Sequence, residues 1–278
     1  MVFCKLLTVL VLIHNIGGLF GAEVRVSIVG GEDAPKGRWP WMVHLNITDA
    51  SKKKNWRCGG TILNEQWVLT AAHCWDEYPP PSEHRSMVWV GSHSLQRKSE
   101  KYMNIGSCIL GPGYYRHSSY YVNDIALVKL RKKIKFKENV QAVNLPTTED
   151  TFGPSSECWI IGWGHVENGV PLQDPETLQQ LKISIIPSKV CKVQYPELTS
   201  NMLCAGDMAG GKDACEGDYG GPLVCRTARG FVQVGIMSYG SRKGCALPGR
   251  PGVYTQVSKY LSFINENIHH AEEASTEV

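Results

Sequence analysis

The chain has 278 residues, of which 42% are hydrophobic and 20% are charged, and its formal net charge is only +3. This composition is typical of a globular protein with one large domain or two halves that share a cleft, and it indicates neither disorder nor a repeat array. Because the net charge is small for this length, binding to nucleic acid or to an acidic membrane surface is not expected.

The first stretch of the chain, residues 1–22, is predicted to be a secretory signal peptide. It combines a basic start at Lys5, an apolar core over Leu6–Ile13 and small residues before the predicted cleavage point. The apolar run is shorter than the ~20 residues of a transmembrane helix, and no other segment comes closer. We therefore expect a secreted, extracellular protein without a stable membrane anchor. Its one sequon for N-linked glycosylation starts at Asn46.

Most of the remaining chain is predicted to form short strands separated by turns rich in Gly, Pro, Asn and Asp. Many short segments of alternating apolar and polar residues are typical of β-barrels or a β-sandwich. The clearest predicted strands are, in chain order, Trp41–Thr48, Gln66–Thr70, Met87–Gly91, Ile125–Leu130, Gln179–Ile186, Phe231–Ser238 and Gly252–Val257.

One helix is predicted near the carboxyl end, over Ser258–Ile268. Ser258 is a suitable N-cap, and apolar residues recur on one face of the helix. The polar tail 269–278 that follows is expected to fray. The strongest loop signals, the proline run 79–81 and Glu167–Glu176, lack the composition of a flexible linker, so no independent second module is expected.

Ten cysteines are present, and Cys4 lies in the predicted signal peptide. The others are spaced too irregularly for a zinc ribbon and include no Cys-x-x-Cys pair. In the oxidising environment of a secreted protein, disulfide bonds are the default expectation. Because eight cysteines already allow on the order of 100 connectivities, spacing alone does not choose the pairing.

Two residues lie where strand-like stretches begin or end and are candidates for catalysis. His73 closes the run Trp67–Ala72 and precedes Cys74, and Asp124 precedes a long alternating strand. A lone histidine or aspartate is usually structural. Both, however, lie upstream of the glycine-rich run Gly217–Pro222. Chance is a poor explanation for a histidine, an aspartate and this run in that order, because a catalytic histidine, aspartate and nucleophile occur in the same order in one class of hydrolytic site.

The run Gly217–Pro222 reads Gly-Asp-Tyr-Gly-Gly-Pro and resembles the nucleophile turn Gly-Asp-Ser-Gly-Gly-Pro of the trypsin-like serine proteases, with Tyr219 in the place of the serine. Four further motifs match that family: Ile28-Val-Gly-Gly, Cys58-Gly-Gly-Thr-Ile, Gly162-Trp-Gly and Pro251-Gly-Val-Tyr. The span Ile28–Ile268 is therefore similar to a chymotrypsin-fold protein of the tryptase branch. The resemblance implies an all-β fold of two six-stranded antiparallel β-barrels with a C-terminal α-helix, and an active site in the cleft between the barrels.

Carried over by position, the resemblance also implies the disulfide pairing. The expected bonds are Cys58–Cys74, Cys158–Cys225, Cys191–Cys204 and Cys215–Cys245. Cys108 is left over, and it is expected to be a small buried hydrophobe or, alternatively, to form an intermolecular bridge.

The resemblance implies a catalytic pair in which Asp124 orients His73 and the imidazole removes a proton from the nucleophile. The backbone N–H groups of Gly217 and Tyr219 would bind the oxyanion. The tyrosine itself is a poor replacement for serine, because its hydroxyl lies a whole phenyl ring further from the backbone and the ring fills the space that a substrate carbonyl needs. Loss of the serine from such a site typically lowers turnover by about 10⁶.

A specificity pocket is also implied. Asp213 would lie at its base and Gly240 and Gly252 in its walls, which would favour Arg or Lys side chains through a desolvated ion pair. The alternative is that Asp213 is a surface carboxylate beside Lys212. The stretch 238–240 matches the strand that pairs with a bound substrate backbone.

Activation departs from the family pattern. Relatives are cut after a basic residue directly before Ile-Val-Gly-Gly, and the new amine pairs with the aspartate at the position of Asp218. Here Ser27 precedes Ile28, and the nearest basic residue is Arg25. Residues 23–27 are predicted to be a short pro-segment, and cleavage after Arg25 would leave two residues too many in front of Ile28. The site is therefore expected to resemble that of a zymogen.

Two hypotheses follow from these residues. The first is a secreted pseudoprotease that binds a protein partner, an inhibitor or a basic peptide segment through its cleft without cutting it. The alternative is a weak or unconventional endopeptidase that cleaves after Arg or Lys. No cofactor and no metal are expected, because the loop 91–104 has too few acidic residues for calcium and the pair His269-His270 is more simply read as solvated.

Overall fold

The computed structural model describes residues 28–96 and 101–276. The predicted signal peptide 1–22 and the predicted pro-segment 23–27, with Arg25 and Ser27, lie outside the described residues. Within the described ranges, none of the helices combines the length and the apolar character that crossing a membrane requires.

The described residues are mostly antiparallel β-sheet. They form the strands β1 Glu32–Asp33, β2 Met42–Thr48, β3 Asn55–Ile62, β4 Trp67–Thr70, β5 Met87–Val90, β6 Lys101–Leu110, β7 Tyr115–Arg116, β8 Tyr121–Val122, β9 Ala126–Leu130, β10 Cys158–Gly162, β11 Gln179–Ile186, β12 Met202–Gly206, β13 Pro222–Thr227, β14 Gly230–Tyr239 and β15 Gly252–Gln256. The helices are α1 Ser188–Gln194 and α2 Leu261–Thr276, with 3₁₀ turns at Ala72–Trp75 and Val257–Tyr260.

The first barrel closes in the order β2-β3-β4-β9-β6-β5. Alternate side chains of a strand point to one face, and in β2 the side chains of Val43, Leu45 and Ile47 point into the core with no exposed surface. His44 lies between them and is also buried. Burial, helped by the nearby Arg57 charge, lowers the pKa of His44 to about 3, so its imidazole is neutral in the folded protein.

The second barrel joins β11-β10-β13-β14-β15-β12 and is closed by the pairing of β11 with β12, while β1 adds to the outer edge of β11. Its core includes Ile160, Leu223 and Tyr254, and it also contains the fully buried side chain of Ile28. The predicted all-β fold of two six-stranded antiparallel barrels with a C-terminal helix is confirmed.

The seven predicted strands are all present, and each predicted end lies within one residue of the observed end. Several strands were not predicted, among them β3, β6, β10, β12 and β13. Glycines explain part of this, because they interrupt the alternation that marks a strand. A Cβ at Gly60 in β3 would lie 2.9 Å from the end of the Leu45 side chain and 3.0 Å from the Leu69 carbonyl oxygen, so the strands leave little room for a side chain there.

The prediction for the helix Ser258–Ile268 is wrong at both ends. The chain forms the 3₁₀ turn Val257–Tyr260 first, and the α-helix then runs over Leu261–Thr276. Ser258 therefore lies within the 3₁₀ turn and is not the helix N-cap. The segment expected to fray, residues 269–276, is helical, since its alanines and glutamates favour helix.

The predicted disulfide pairing is confirmed. The bonds are Cys58–Cys74, Cys158–Cys225, Cys191–Cys204 and Cys215–Cys245. Cys108 carries a free thiol, half-buried against the core of the first barrel. Burial raises the pKa of this thiol well above its ordinary value, so it stays protonated and behaves as a small apolar group.

Candidate active site

The structure brings His73 and Asp124 together at the end of the first barrel. His73 lies on the 3₁₀ turn that follows β4, and Asp124 lies just before β9, the strand that pairs with β4. The imidazole Nδ1 is 2.7 Å from Asp124 Oδ2, and the backbone N–H of His73 donates to Oδ1 at 2.8 Å. Both carboxylate oxygens are thus committed to the histidine, which fixes the orientation of its ring.

Three further residues hold this pair in place. The Ser238 hydroxyl donates to Asp124 Oδ2, and the Thr255 hydroxyl donates to the Asp124 backbone carbonyl at 2.7 Å. The ring of Tyr121 stacks on the ring of His73, with centroids 4.6 Å apart and planes 9° from parallel. The imidazole is therefore held by a carboxylate at one edge and an aromatic ring on one face.

Tyr219 approaches the same histidine from the second barrel. The two ring centroids are 5.7 Å apart and the planes meet at 76°, an edge-to-face contact. The Tyr219 ring is half-buried against the core of the second barrel. Its burial, and then the charges of Asp213 and Asp218, raise the pKa of the phenol well above its ordinary value. The hydroxyl therefore stays protonated at neutral pH.

The turn Gly217–Pro222 is held by backbone hydrogen bonds around the tyrosine. Its glycines at 217 and 220 have φ of 93° and 80°, values that favour glycine. The Tyr219 carbonyl accepts the N–H of Gly59, from strand β3 of the first barrel, at 2.8 Å. Among the described residues, the N–H groups of Gly217 and Tyr219 donate to no protein acceptor, and their binding of an oxyanion stays a prediction.

Asp213 lies at the base of a narrow pocket with Tyr219, Gly240 and Gly252 among its lining residues. The carboxylate is only 4% exposed, which excludes the alternative of a surface loop carboxylate. It accepts the N–H groups of Ala214 and Ala246 at 2.9 Å and 3.1 Å. Burial nevertheless dominates these two bonds and raises the pKa of Asp213 to about 7.

The pocket beside Asp213 has almost no open volume. Its open volume is about 10 Å³, roughly the space of one water molecule, whereas the neighbouring cleft around His73 and Tyr121 has about 430 Å³. Tyr219 lines both spaces. An arginine or lysine side chain does not fit an open volume of this size.

Asp218 is fully buried behind the same turn, between two glycines. Its carboxylate accepts the N–H of Gly164 at 2.7 Å and the N–H of Cys215 at 3.1 Å. A Cβ at Gly162 would lie 2.1 Å from Asp218 Oδ1, and one at Gly164 would lie 2.4 Å from Asp218 Cγ. Burial raises the pKa of Asp218 to about 7, against the effect of the two N–H donors, and the charge of Asp213 adds to the rise.

The predicted activation pair is positioned only in part. Ile28 is fully buried in the second barrel, and the next residue, Val29, bridges to Asp213. The described residues include no ion pair of Asp218 with a side chain. Pairing of Asp218 with an Ile28 amine remains a prediction, because the residues before Ile28 lie outside the described ranges.

One cluster of metal-ligating residue types lies within the described ranges, at Cys58, His73 and Cys74. Both cysteines are joined in a disulfide and offer no thiolate. This cluster therefore does not fit a metal ion.

The family model described as Trypsin matches residues 28–264. The chain belongs to the trypsin family. Among similar proteins, Testisin of Homo sapiens is 37% identical over 266 residues, covering 90% of this chain and 81% of Testisin. Tryptase of Mus musculus is 36% identical over 265 residues, covering 89% of this chain and 90% of that protein. The resemblance inferred from the motifs is thus confirmed at the level of the family.

In this trypsin-family chain, two functional features escaped the motif analysis. Tyr121 gave no signal, because nothing in its sequence context shows that its ring reaches His73. Gly162 and Gly164 were noticed only as a motif, and the structure gives them a physical role as the space for the Asp218 carboxylate. Asn46, the predicted glycosylation site, lies within β2 with a half-buried side chain.

Proposed function

We propose that this protein is a secreted pseudoprotease that binds a protein partner or inhibitor at its active-site cleft and does not hydrolyse it. Secretion rests on the predicted signal peptide and agrees with the four disulfides, which persist in oxidising compartments.

The observation that carries the proposal is the position of the Tyr219 ring. The ring stands at the position that the resemblance gives to the nucleophile, contacts His73 edge-on and lines the specificity pocket, whose open volume is about 10 Å³. Chemistry and substrate binding are both hindered, because the phenol is displaced from where a serine hydroxyl would lie and a basic side chain cannot reach Asp213.

Binding without cleavage is supported by the cleft that remains open. The cleft of about 430 Å³ is lined by Tyr120, Tyr121 and Tyr239, together with Arg116 and Arg242. Tyrosine and arginine are enriched among residues that dominate protein–protein binding energies. A basic peptide segment is the less suitable partner, since two arginines line the open cleft and the buried carboxylate of Asp213 is covered.

The alternative function, a weak endopeptidase that cleaves after Arg or Lys, is favoured by the intact His73–Asp124 hydrogen bond of 2.7 Å. The two functions are separated by testing the purified, N-terminally sequenced protein on Arg and Lys peptides and with a serine-directed phosphonate. The pseudoprotease is expected to give neither turnover nor labelling. Turnover that disappears in the His73→Ala variant would contradict the proposal.

A reversion experiment tests whether the remaining site is intact. The double change Tyr219→Ser and Ser27→Arg, followed by treatment with trypsin, is expected to raise cleavage after Arg by at least about 10³-fold. Either single change is expected to restore less. The matched control carries His73→Ala in the same double background. A double variant that folds, is cut before Ile28 and stays inactive would show that other parts of the site are defective.

A further inference from the structure

A third cavity, of about 360 Å³, lies on the first barrel. It shares no lining residue with the cleft or with the specificity pocket. Its rim carries four lysines, Lys36, Lys101, Lys135 and Lys137. We refer to it as the lysine pocket.

Three separate segments bring these lysines together. Lys36 follows β1, Lys101 begins β6, and Lys135 and Lys137 lie in the loop after β9. All four are exposed, and none of them forms an ion pair within the described ranges. Within the described part of the chain, their charges therefore add at one place on the surface with no ion pair to offset them.

The loop after β9 is tied to the barrel, so the lysine pocket has a defined shape. The Asn139 side chain donates from Nδ2 to the Gly91 carbonyl, at the end of β5, at 3.2 Å. The Lys137 and Val140 backbones also exchange hydrogen bonds of 3.0 Å. One of the four lysines, Lys137, is thus presented from a hydrogen-bonded turn, and Lys135 lies two residues before it.

The floor of the lysine pocket is apolar. Val90, Met103, Ile134 and Val140 line it, with exposed fractions of 7%, 6%, 4% and 1%. Phe136, between two of the lysines in sequence, is 45% exposed, although it does not itself line the cavity. A ligand that enters the pocket meets hydrocarbon below and positive charge around it.

None of the described lining residues is a carboxylate. Glu138 is next to Lys137 in sequence, but it does not line the cavity. This distribution differs from that of the whole chain, whose formal net charge is only +3. Positive charge is thus concentrated at a cavity that the proposed function leaves unused.

We propose that the lysine pocket binds an acidic segment of a protein partner that carries bulky apolar side chains. Carboxylates of the segment pair with the lysines, and its apolar side chains cover the floor. The floor favours a peptide over a sulfated polysaccharide, because a polysaccharide satisfies the charges but has no apolar side chains to bury. The site is independent of catalysis and acts alike in a pseudoprotease and in an active enzyme.

The test uses the purified secreted protein and a fluorescein-labelled short peptide of Glu, Asp, Leu and Phe, measured by fluorescence anisotropy at low and physiological salt. A matched peptide replaces Leu and Phe with Ser, and a heparin-derived oligosaccharide is the third probe. The first peptide is expected to bind about tenfold more tightly than the Ser peptide. Equal binding of the two peptides, tighter binding of the oligosaccharide, or no binding by the first peptide would overturn the proposal.

Charge reversal locates the binding. The variant Lys101→Glu with Lys137→Glu is expected to weaken peptide binding at least about tenfold. The control Lys189→Glu with Lys192→Glu makes the same change of charge on α1 of the second barrel and is expected to have little effect. If the first pair lowers the melting temperature, the pair Lys36→Glu and Lys135→Glu replaces it. Equal weakening by pocket and control variants would contradict the assignment.

Discussion

Tyr219 combines two obstacles to catalysis in a single side chain. Its ring lines the narrow pocket that Asp213 also lines, and it contacts the His73 ring edge-to-face. A smaller residue at this position would remove both obstacles while leaving the scaffold unchanged. The pocket and the nucleophile position can therefore be tested separately.

Truncation of the ring is expected to open the pocket without creating a nucleophile. Tyr219→Ala should bind a fluorescent aryl amidine at least about tenfold more tightly than the unchanged protein, because the cation then reaches the buried Asp213 carboxylate. Fluorescence titration measures this. The matched control is Tyr219→Ala with Asp213→Asn, which should lose the gain. Equal amidine binding before and after truncation would show that the ring does not block the pocket.

The buried carboxyls predict how stability depends on pH. Asp213 has a pKa of about 7 in the folded protein, against 3.8 for an unperturbed group. Between these values the folded state binds more protons than the unfolded state, so the free energy of unfolding falls as pH rises from about 4 to 7, by on the order of 1 kcal/mol per pH unit for one such group.

Urea unfolding at several pH values checks this slope. Asp213→Asn is expected to make the slope shallower, since it removes one of the protons that the folded state retains. Glu149→Gln removes an exposed carboxylate and serves as the control. The explanation fails if the stability of the Asp213→Asn variant depends on pH as steeply as that of the unchanged protein.

At the level of elements, the end of β10 packs closely against the turn Gly217–Pro222. The strand ends at Gly162, and Gly164 follows, so the chain passes close to the Asp218 carboxylate. The two glycines and the N–H of Gly164 thus form one side of the aspartate's cavity. A side chain at either glycine would displace the turn that carries Tyr219.

Gly164→Ala is accordingly expected to destabilise the protein by about 1–3 kcal/mol, the usual cost of overpacking. Its Cβ would lie 2.4 Å from Asp218 Cγ. Chemical denaturation gives the change in the free energy of unfolding. Gly153→Ala is the control, because a Cβ there meets nothing within 4 Å. Similar values for the two variants would mean that the turn moves without strain.

Across the whole molecule, the C-terminal helix connects the two barrels. The 3₁₀ turn Val257–Tyr260 and then the helix follow β15 of the second barrel, yet Tyr260 of the turn and Ile264 of the helix lie in the core of the first barrel. The Tyr260 hydroxyl also donates to Asn123 Oδ1 at 2.7 Å, next to Asp124. The helix thus contributes to the packing of the barrels, and the turn before it contributes to the support of the His73–Asp124 pair.

Loss of the packing of Ile264 against the first barrel is expected to lower the stability of the protein. Ile264 has no exposed surface, so Ile264→Ala should lower the free energy of unfolding by about 2–5 kcal/mol through lost burial and a cavity. Asn265→Ala, on the exposed face of the same helix, should change it by less than about 0.5 kcal/mol. Denaturation curves for both variants measure these two changes in the free energy of unfolding. A cost below about 1 kcal/mol for Ile264→Ala would show that the helix is not part of the core.

Much of the fold was predictable because its signals are local or repeat a known family pattern. Alternation located seven strands to within one residue, and the resemblance to the family implied the four disulfides. The alternation of apolar and polar residues did not predict β3 and β10. Two glycines interrupt the pattern in β3, and nearly all residues of β10 are buried. The sequence pattern failed for the helix as well, since the choice between a 3₁₀ turn and an α-helix at Ser258 depends on packing against the first barrel.

The sequence by itself determined the family, the residues His73, Asp124 and Tyr219, and the order in which they occur. Only the tertiary structure decided that Tyr219 lines the specificity pocket, that Asp218 needs two glycines around it, and that four lysines surround one cavity with an apolar floor. The physical reason is that these features depend on distances between residues far apart in the chain. Local sequence constrains backbone conformation and burial, whereas the direction of a side chain across a cleft follows from the packing of both barrels.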